Sequence, residues 1–243
     1  MTFDLSPLWI SLKTSLTATL LVLVLGVAAA GWRAGRRSRW WDVLDGIALL
    51  PLVLPPTVVG FFLLVLFGRN GPLGRLLLRV GMTVVFSWPA TVIAASVVAF
   101  PLMYLTVRGA FEQLDPSMLE AARTLGASEW EVFAAVALPL IWPGVLAGTV
   151  LSFARALGEF GATLMLAGNI PGRTETIPVA IFFAIEAGDN REALGWAALV
   201  LAISVAVLAA MGAWTRYQSA YLARGFGAPL RASSETTAEA KDA

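Results

Sequence analysis

Cysteine and histidine are absent from this 243-residue chain, and its two lysines are Lys13 and Lys241. The first two absences exclude disulfides, thiol nucleophiles, histidine-based catalytic triads and any metal site built on His or Cys ligands. No metal site and no catalytic site is expected. Neither lysine follows a glycine-rich loop, so the chain lacks a phosphate-cradling Walker motif, and any ATP it depends on is bound by another subunit. Charge is scarce too. Only 14% of residues are charged against 58% hydrophobic, and the mean hydropathy of +0.78 is too high for an ordinary soluble domain. The 17 basic and 16 acidic residues nearly cancel, and the arginines lie between apolar runs rather than on one basic face. Nucleic-acid binding therefore finds no support, and the composition points to a chain embedded in a lipid bilayer.

What is present is a set of long apolar runs. A helix needs about 20 apolar residues to cross a hydrocarbon core, and five runs qualify: 8–31, 46–67, 82–107, 132–153 and 193–215. The one charge within them is Lys13, near a run end, where a long side chain reaches the headgroups. Backbone inside lipid must satisfy its own hydrogen bonds, and uninterrupted runs of this length do so as helices. The expected fold is all-α and polytopic, with five transmembrane helices. Two shorter apolar pieces, 160–172 and 176–185, contain Gly, Asn or Pro and read as re-entrant or interfacial segments. The first run is not a signal peptide, because Arg33, Arg36, Arg37 and Arg39 come after it instead of before it. With the N-terminus outside and the C-terminus inside, ten basic residues fall inside and seven outside, the sign the positive-inside rule demands. Residues 1–217 read as the membrane domain and 218–243 as a polar, disordered cytoplasmic tail.

Between the third and fourth runs lies a charged, well-punctuated stretch. Asp115-Pro116 places an N-cap carboxylate before a proline at the first helical position, and Gly126 suits a left-handed helix stop. Ser128 has Glu131 three residues on, a capping box that opens a second helix leading into the fourth run. The chemistry predicts a helix, a sharp turn and a helix, projecting from the membrane as an elbow.

The spacing of that elbow, Glu120-Ala121-Ala122, three residues, Gly126, nine residues, Val136, one residue, Leu138-Pro139, resembles the EAA signature of permease subunits of bacterial ABC importers. The resemblance covers residues 8–216. The stretches LPLVLPPTVVG (50–60), FSWP (86–89), FPLM (100–103), SFARALGEFGATL (152–164) and GNIPGRTETIP (168–178) look like the molybdate branch; the sulfate and thiosulfate permeases share a similar core around Arg155 and Glu159. The resemblance implies a type I importer permease in the bacterial inner membrane, with the elbow as the coupling helix that docks on a cytoplasmic ATPase. It further implies a homodimer, a periplasmic or extracellular oxyanion-binding protein, no cofactor in this chain, and ATP and Mg held by the partner ATPase. Sulfate or thiosulfate is the alternative cargo.

Candidate pore or gate residues are Arg155, Glu159, Pro55 and Pro56. Arg155 and Glu159 are four apart on one helix face, so they either pair with each other or cap a helix end, or they touch the substrate. Pro51, Pro55 and Pro56 interrupt the ladder of the second run, either shaping a gate or merely packing. Gly144 and Gly148 form a GxxxG pair suited to close helix approach, within one subunit or across a dimer. A channel or secondary transporter is the rival class, but no internal repeat is visible. An intramembrane hydrolase would require an unusual carboxylate or Ser-Lys site using Lys13.

Overall fold

The computed structural model describes residues 4–36 and 38–226, with side chains as far as residue 213. Regular structure among these residues is entirely helical, and residues 1–200 pack as one unit while 201 onward form a second. Three helices make the central block of the first unit: α1 (Ser6–Arg33), α5 (Trp88–Glu112) and α8 (Leu138–Leu157). Their contact faces are built from Ala18, Val22, Ala95, Ala99, Met103 and Val145. Lipid tails are as apolar as these side chains, so helix association here depends on close approach and van der Waals contact rather than on expelling water. Small residues permit it. A Cβ at Gly26 would lie 2.5 Å from Met103 Cγ, and one at Gly144 would lie 2.6 Å from Ala110 Cβ. The GxxxG pair thus serves α8 against α5 within one chain.

Helices α1 and α5 run in the same direction. Near their starts Thr14 Oγ1 and Thr91 Oγ1 share a hydrogen bond of 2.9 Å, and Trp88 Nε1 donates to Thr14 at 3.1 Å. Near their ends Arg33 and Arg108 meet on one carboxylate, Asp45. Because two consecutive parallel members of the block must be joined by a return crossing, the segment between them traverses the fold. That segment is α2 (Arg39–Val53), α3 (Pro56–Phe67) and α4 (Pro72–Arg79).

Here the structure corrects the second expected span. It is no single helix: α2 and α3 meet at a bend of 115°. Pro55 and Pro56 together remove two N–H donors, and the residue before a proline is driven out of the helical region, which leaves Leu54 at ψ 143°. Pro51, by contrast, stays inside α2. Four helices are long and apolar enough to cross alone, five if the bent pair counts as one. The third span begins at Trp88, because residues 82–87 form an irregular approach in which Phe86 sits at φ 59°. The two short apolar pieces are helices α9 (Gly161–Ala167) and α10 (Ile177–Glu186), and the last helix, α11, runs Asn190–Phe226. The first residues of the expected tail, 218–226, are therefore helical; the rest of it lies outside the described residues.

Gly144→Leu should overpack the α5–α8 seam and destabilise the subunit by about 1–3 kcal/mol. Gly109, with nothing within 4 Å of its Cβ position, should accept alanine and gain about 0.5–1 kcal/mol. Thermal unfolding of the detergent-solubilised protein measures both.

Candidate functional site

The elbow is assembled from local chemistry. Asp115 caps α6 (Pro116–Thr124) by accepting the Ser117 backbone N–H at 2.9 Å, and that bond holds its carboxyl below the usual range. The helix ends as left-handed stops do: Ala121 accepts from Leu125 N–H at 3.2 Å and Ala122 from Ala127 N–H at 3.2 Å, with Gly126 at φ +89°. The carbonyls of Ala121 and Ala122 are thus the acceptors that close the turn. Ser128 and Glu131 then make the full capping box, with Ser128 N–H donating to Glu131 Oε2 at 2.7 Å. Across the turn Arg123 grips Glu129 with two bonds of 2.7 and 3.1 Å.

Beyond α7 (Glu129–Glu131) the chain departs from the plain α-helix expected there. Val132–Ala137 is a π-helical turn, in which Leu138 N–H reaches back five residues to Phe133 O. Pro139 explains it. In α geometry its ring would press on the carbonyl four residues earlier, and a wider turn relieves that clash. Leu138 packs on the central core. Leu138 and Pro139 therefore join elbow to span.

No residue of α6 is buried, and the elbow holds apolar groups out in the open: Leu125 is 89% exposed and Trp130 72%. Beneath it lies a cleft of about 790 Å³, lined among others by Arg33, Arg108, Phe111, Glu120, Arg123 and Phe133. At its inner edge sits a group that sequence reasoning missed. Asp45 Oδ2 accepts from Arg33 Nε at 3.0 Å and from Arg108 Nη1 at 2.6 Å, and Oδ1 accepts from the Tyr104 hydroxyl. Arg33 also holds Asp42 at 3.2 Å and Arg108 holds Glu112 at 2.8 Å. The only signal in the sequence is an acid pair close to four arginines, whose charges bear there on topology alone.

The candidate pore residues gather at the opposite end of the block. Glu159 is 2% exposed. Its Oε1 accepts the Ala162 N–H at 2.8 Å, capping α9, and its Oε2 stands 2.9 Å from Arg155 Nη1. Both structural roles open to this pair, mutual pairing and helix capping, are met at once. Pro56 starts α3 directly against α9: a Cβ at Gly161 would lie 3.0 Å from Pro56 Cβ, and one at Gly60 2.8 Å from Ala162 Cα. Arg155, Glu159 and Pro56 are thereby brought around one helix start, with Pro55 at the bend behind it. Glu120, Ala121, Ala122, Gly126, Leu138 and Pro139, the residues of the expected coupling motif, lie in and just beyond the elbow at the other end.

Comparison with known proteins agrees with this architecture. Residues 22–219 match the family described as "Binding-protein-dependent transport system inner membrane component". The chain belongs to that family. It is 48% identical over 178 residues to the molybdenum transport system permease protein ModB of Escherichia coli K12, covering 73% of this chain and 78% of that one. To the sulfate transport system permease protein CysT of the same organism it is 35% identical over 199 residues, 82% and 72% of the two chains. Among solved structures, an inward-facing methionine ABC transporter, MetNI, superposes with a TM-score of 0.70 at 16% identity, covering 88% and 95%; that likeness concerns the fold. The chain is thus an inner-membrane component of a binding-protein-dependent transport system, and these curated relatives are named permease proteins.

Gly126 is the residue to probe. Nothing lies within 4 Å of its Cβ position, so a side chain there acts through backbone strain alone. Gly126→Val should cost about 1–2 kcal/mol at this left-handed turn. Gly126→Asn, which tolerates that conformation, should cost less. Both should insert normally, while stimulation of the ATPase by loaded binding protein falls in the Val variant and largely persists in the Asn variant.

Proposed function

We propose that this chain is the membrane subunit of an ATP-driven importer of molybdate, acting as a homodimer with its translocation path on the two-fold axis. The observation that carries the cargo is the difference in likeness: 48% identity to a molybdenum permease against 35% to a sulfate permease. The mechanism starts at the elbow. An exposed, doubly capped hook offering Leu125 and Trp130 suits a groove on a cytoplasmic ATPase. Closure of two ATPase subunits around ATP and Mg, which this chain does not itself bind, would push the hook. The π turn and the continuous α8 carry that push toward Arg155 and Glu159 at the far end. There a binding protein delivers the oxyanion.

The charge bias of ten basic residues against seven favours the elbow and C-terminus inside and the N-terminus outside. Molybdate, tungstate and sulfate are all tetrahedral dianions differing mainly in size and hydrogen-bond length. A path that must release its cargo discriminates weakly, so selection belongs to the binding protein. Sulfate or thiosulfate is the second reading, favoured by the extent of the sulfate permease match.

The test is uptake by proteoliposomes containing this chain and its ATPase, with the cognate binding protein and radiolabelled molybdate on one face and ATP on the other. Molybdate should accumulate only with ATP on the elbow side, tungstate should compete, and a large excess of sulfate should not. Preferential uptake of sulfate would reassign the cargo; uptake without ATP would remove the importer mechanism.

A further inference from the structure

Helix α2 is attached to the rest of the fold in an unusual way. Its 15 residues contain a single buried side chain, and that side chain is Asp45, 7% exposed. Ala48 and Leu49 rest partly on the core, but the one fully enclosed contact is a carboxylate. An apolar helix held at a charge is a costly arrangement: replacing a buried ion cluster with well-packed hydrophobic residues is often neutral or stabilising. Stability therefore does not account for Asp45.

Its partners indicate another role. They come from two other helices, Arg33 at the end of α1 and Tyr104 and Arg108 on α5. With Asp42 and Glu112 they form an unbroken alternation of charge, Asp42–Arg33–Asp45–Arg108–Glu112. Arg33, Arg108 and Glu112 are also walls of the cleft beneath the elbow, facing Glu120 and Arg123. On its other side α2 continues through the 115° bend into α3, and α3 bears on α9 through Pro56 and Gly60. The carboxylate thus stands between the elbow and the bent arm that reaches the Glu159 end.

We propose that Asp45 is a positioning residue for transport: it latches the α2–α3 arm to α1 and α5, so that movement at the elbow moves the arm. Greasy contact lets helices slide by small steps. A carboxylate gripped by two guanidinium groups and a hydroxyl sets one position and resists others, because sliding out of that grip leaves the buried Asp45 carboxylate itself unpaired, while Arg33 and Arg108 keep Asp42 and Glu112. The latch rests on the importer reading above, and its test separates the two, since the unaltered complex serves as reference for ATP-driven uptake.

The complete transporter, with its ATPase and binding protein, would be reconstituted carrying Asp45→Asn, Asp45→Glu or the pair Asp45→Asn/Arg108→Gln. Asn keeps two acceptor lone pairs and the volume but removes the charge; the pair also removes one of the two guanidinium groups, which restores the net charge of the cluster. In all three, assembly and basal ATP hydrolysis should stay near the reference. Molybdate moved per ATP should fall about tenfold in Asp45→Asn and in the pair, and return toward the reference in Asp45→Glu. Thermal stability should recover in the pair while the transport ratio does not. Normal transport per ATP in Asp45→Asn overturns the proposal. So does full recovery of transport in the pair, which would make the carboxylate a charge balance only, and so does failure of both to assemble, which would make it a folding element. If the unaltered complex takes up no oxyanion, the importer reading fails instead.

Discussion

A charge inside an apolar body must be matched where it stands. Among the described residues the buried charged side chains are Asp45 and Glu159, and each is met by arginine: Asp45 by two, Glu159 by Arg155 and a helix start. The penalty for leaving either unpaired is several kcal/mol, so these two points are fixed with a precision that apolar contact does not give. They lie at opposite ends of the α1–α5–α8 block. What the chain can do as a transporter depends on how the parts between them move.

Two kinds of attachment divide the first unit. The block is held by close approach at Gly26, Gly144 and Gly148, where methyl-sized additions would collide, and such a seam behaves as one body. The α2–α3 arm is held differently, by a charge at one end and by the Pro56, Gly60 and Ala162 contact at the other. The elbow, with no buried residue in α6, is held chiefly by its own caps and by the π turn. A rigid block with an external hook and a latched arm is a physical basis for alternating access, because shifts at a packed interface pass between discrete arrangements.

The legibility of the sequence tracks the range of the interactions. The elbow could be read residue by residue, because Asp115, Gly126, Ser128 and Glu131 each act within a few positions of themselves. The Arg155–Glu159 pair was legible as a pair and a cap for the same reason. The interruption of the second span was legible in its prolines, but not which of them would end the helix or that the bend would reach 115°. Pro51, Pro101 and Pro143 all remain inside helices while Pro55 and Pro56 end one, and what sets the latter apart is that two adjacent prolines remove two donors at one place. The π turn was hidden because Pro139 could equally have kinked the helix. Asp45 was hidden most deeply, since its arginines are 12 and 63 residues away in the chain and no local pattern joins them. The family resemblance supplied the coupling role proposed for the elbow, which local chemistry alone left open to a capped loop.

The central claim is that the elbow is the docking point for the ATPase. Because the chain has no cysteine, a single cysteine at Leu125, 89% exposed, can carry a nitroxide spin label without background. Its electron paramagnetic resonance spectrum in membranes should show fast motion in the permease alone and strong immobilisation once the ATPase subunit is added, with a label at exposed Leu76 unchanged. A Leu125 label equally mobile in the assembled transporter would contradict the account.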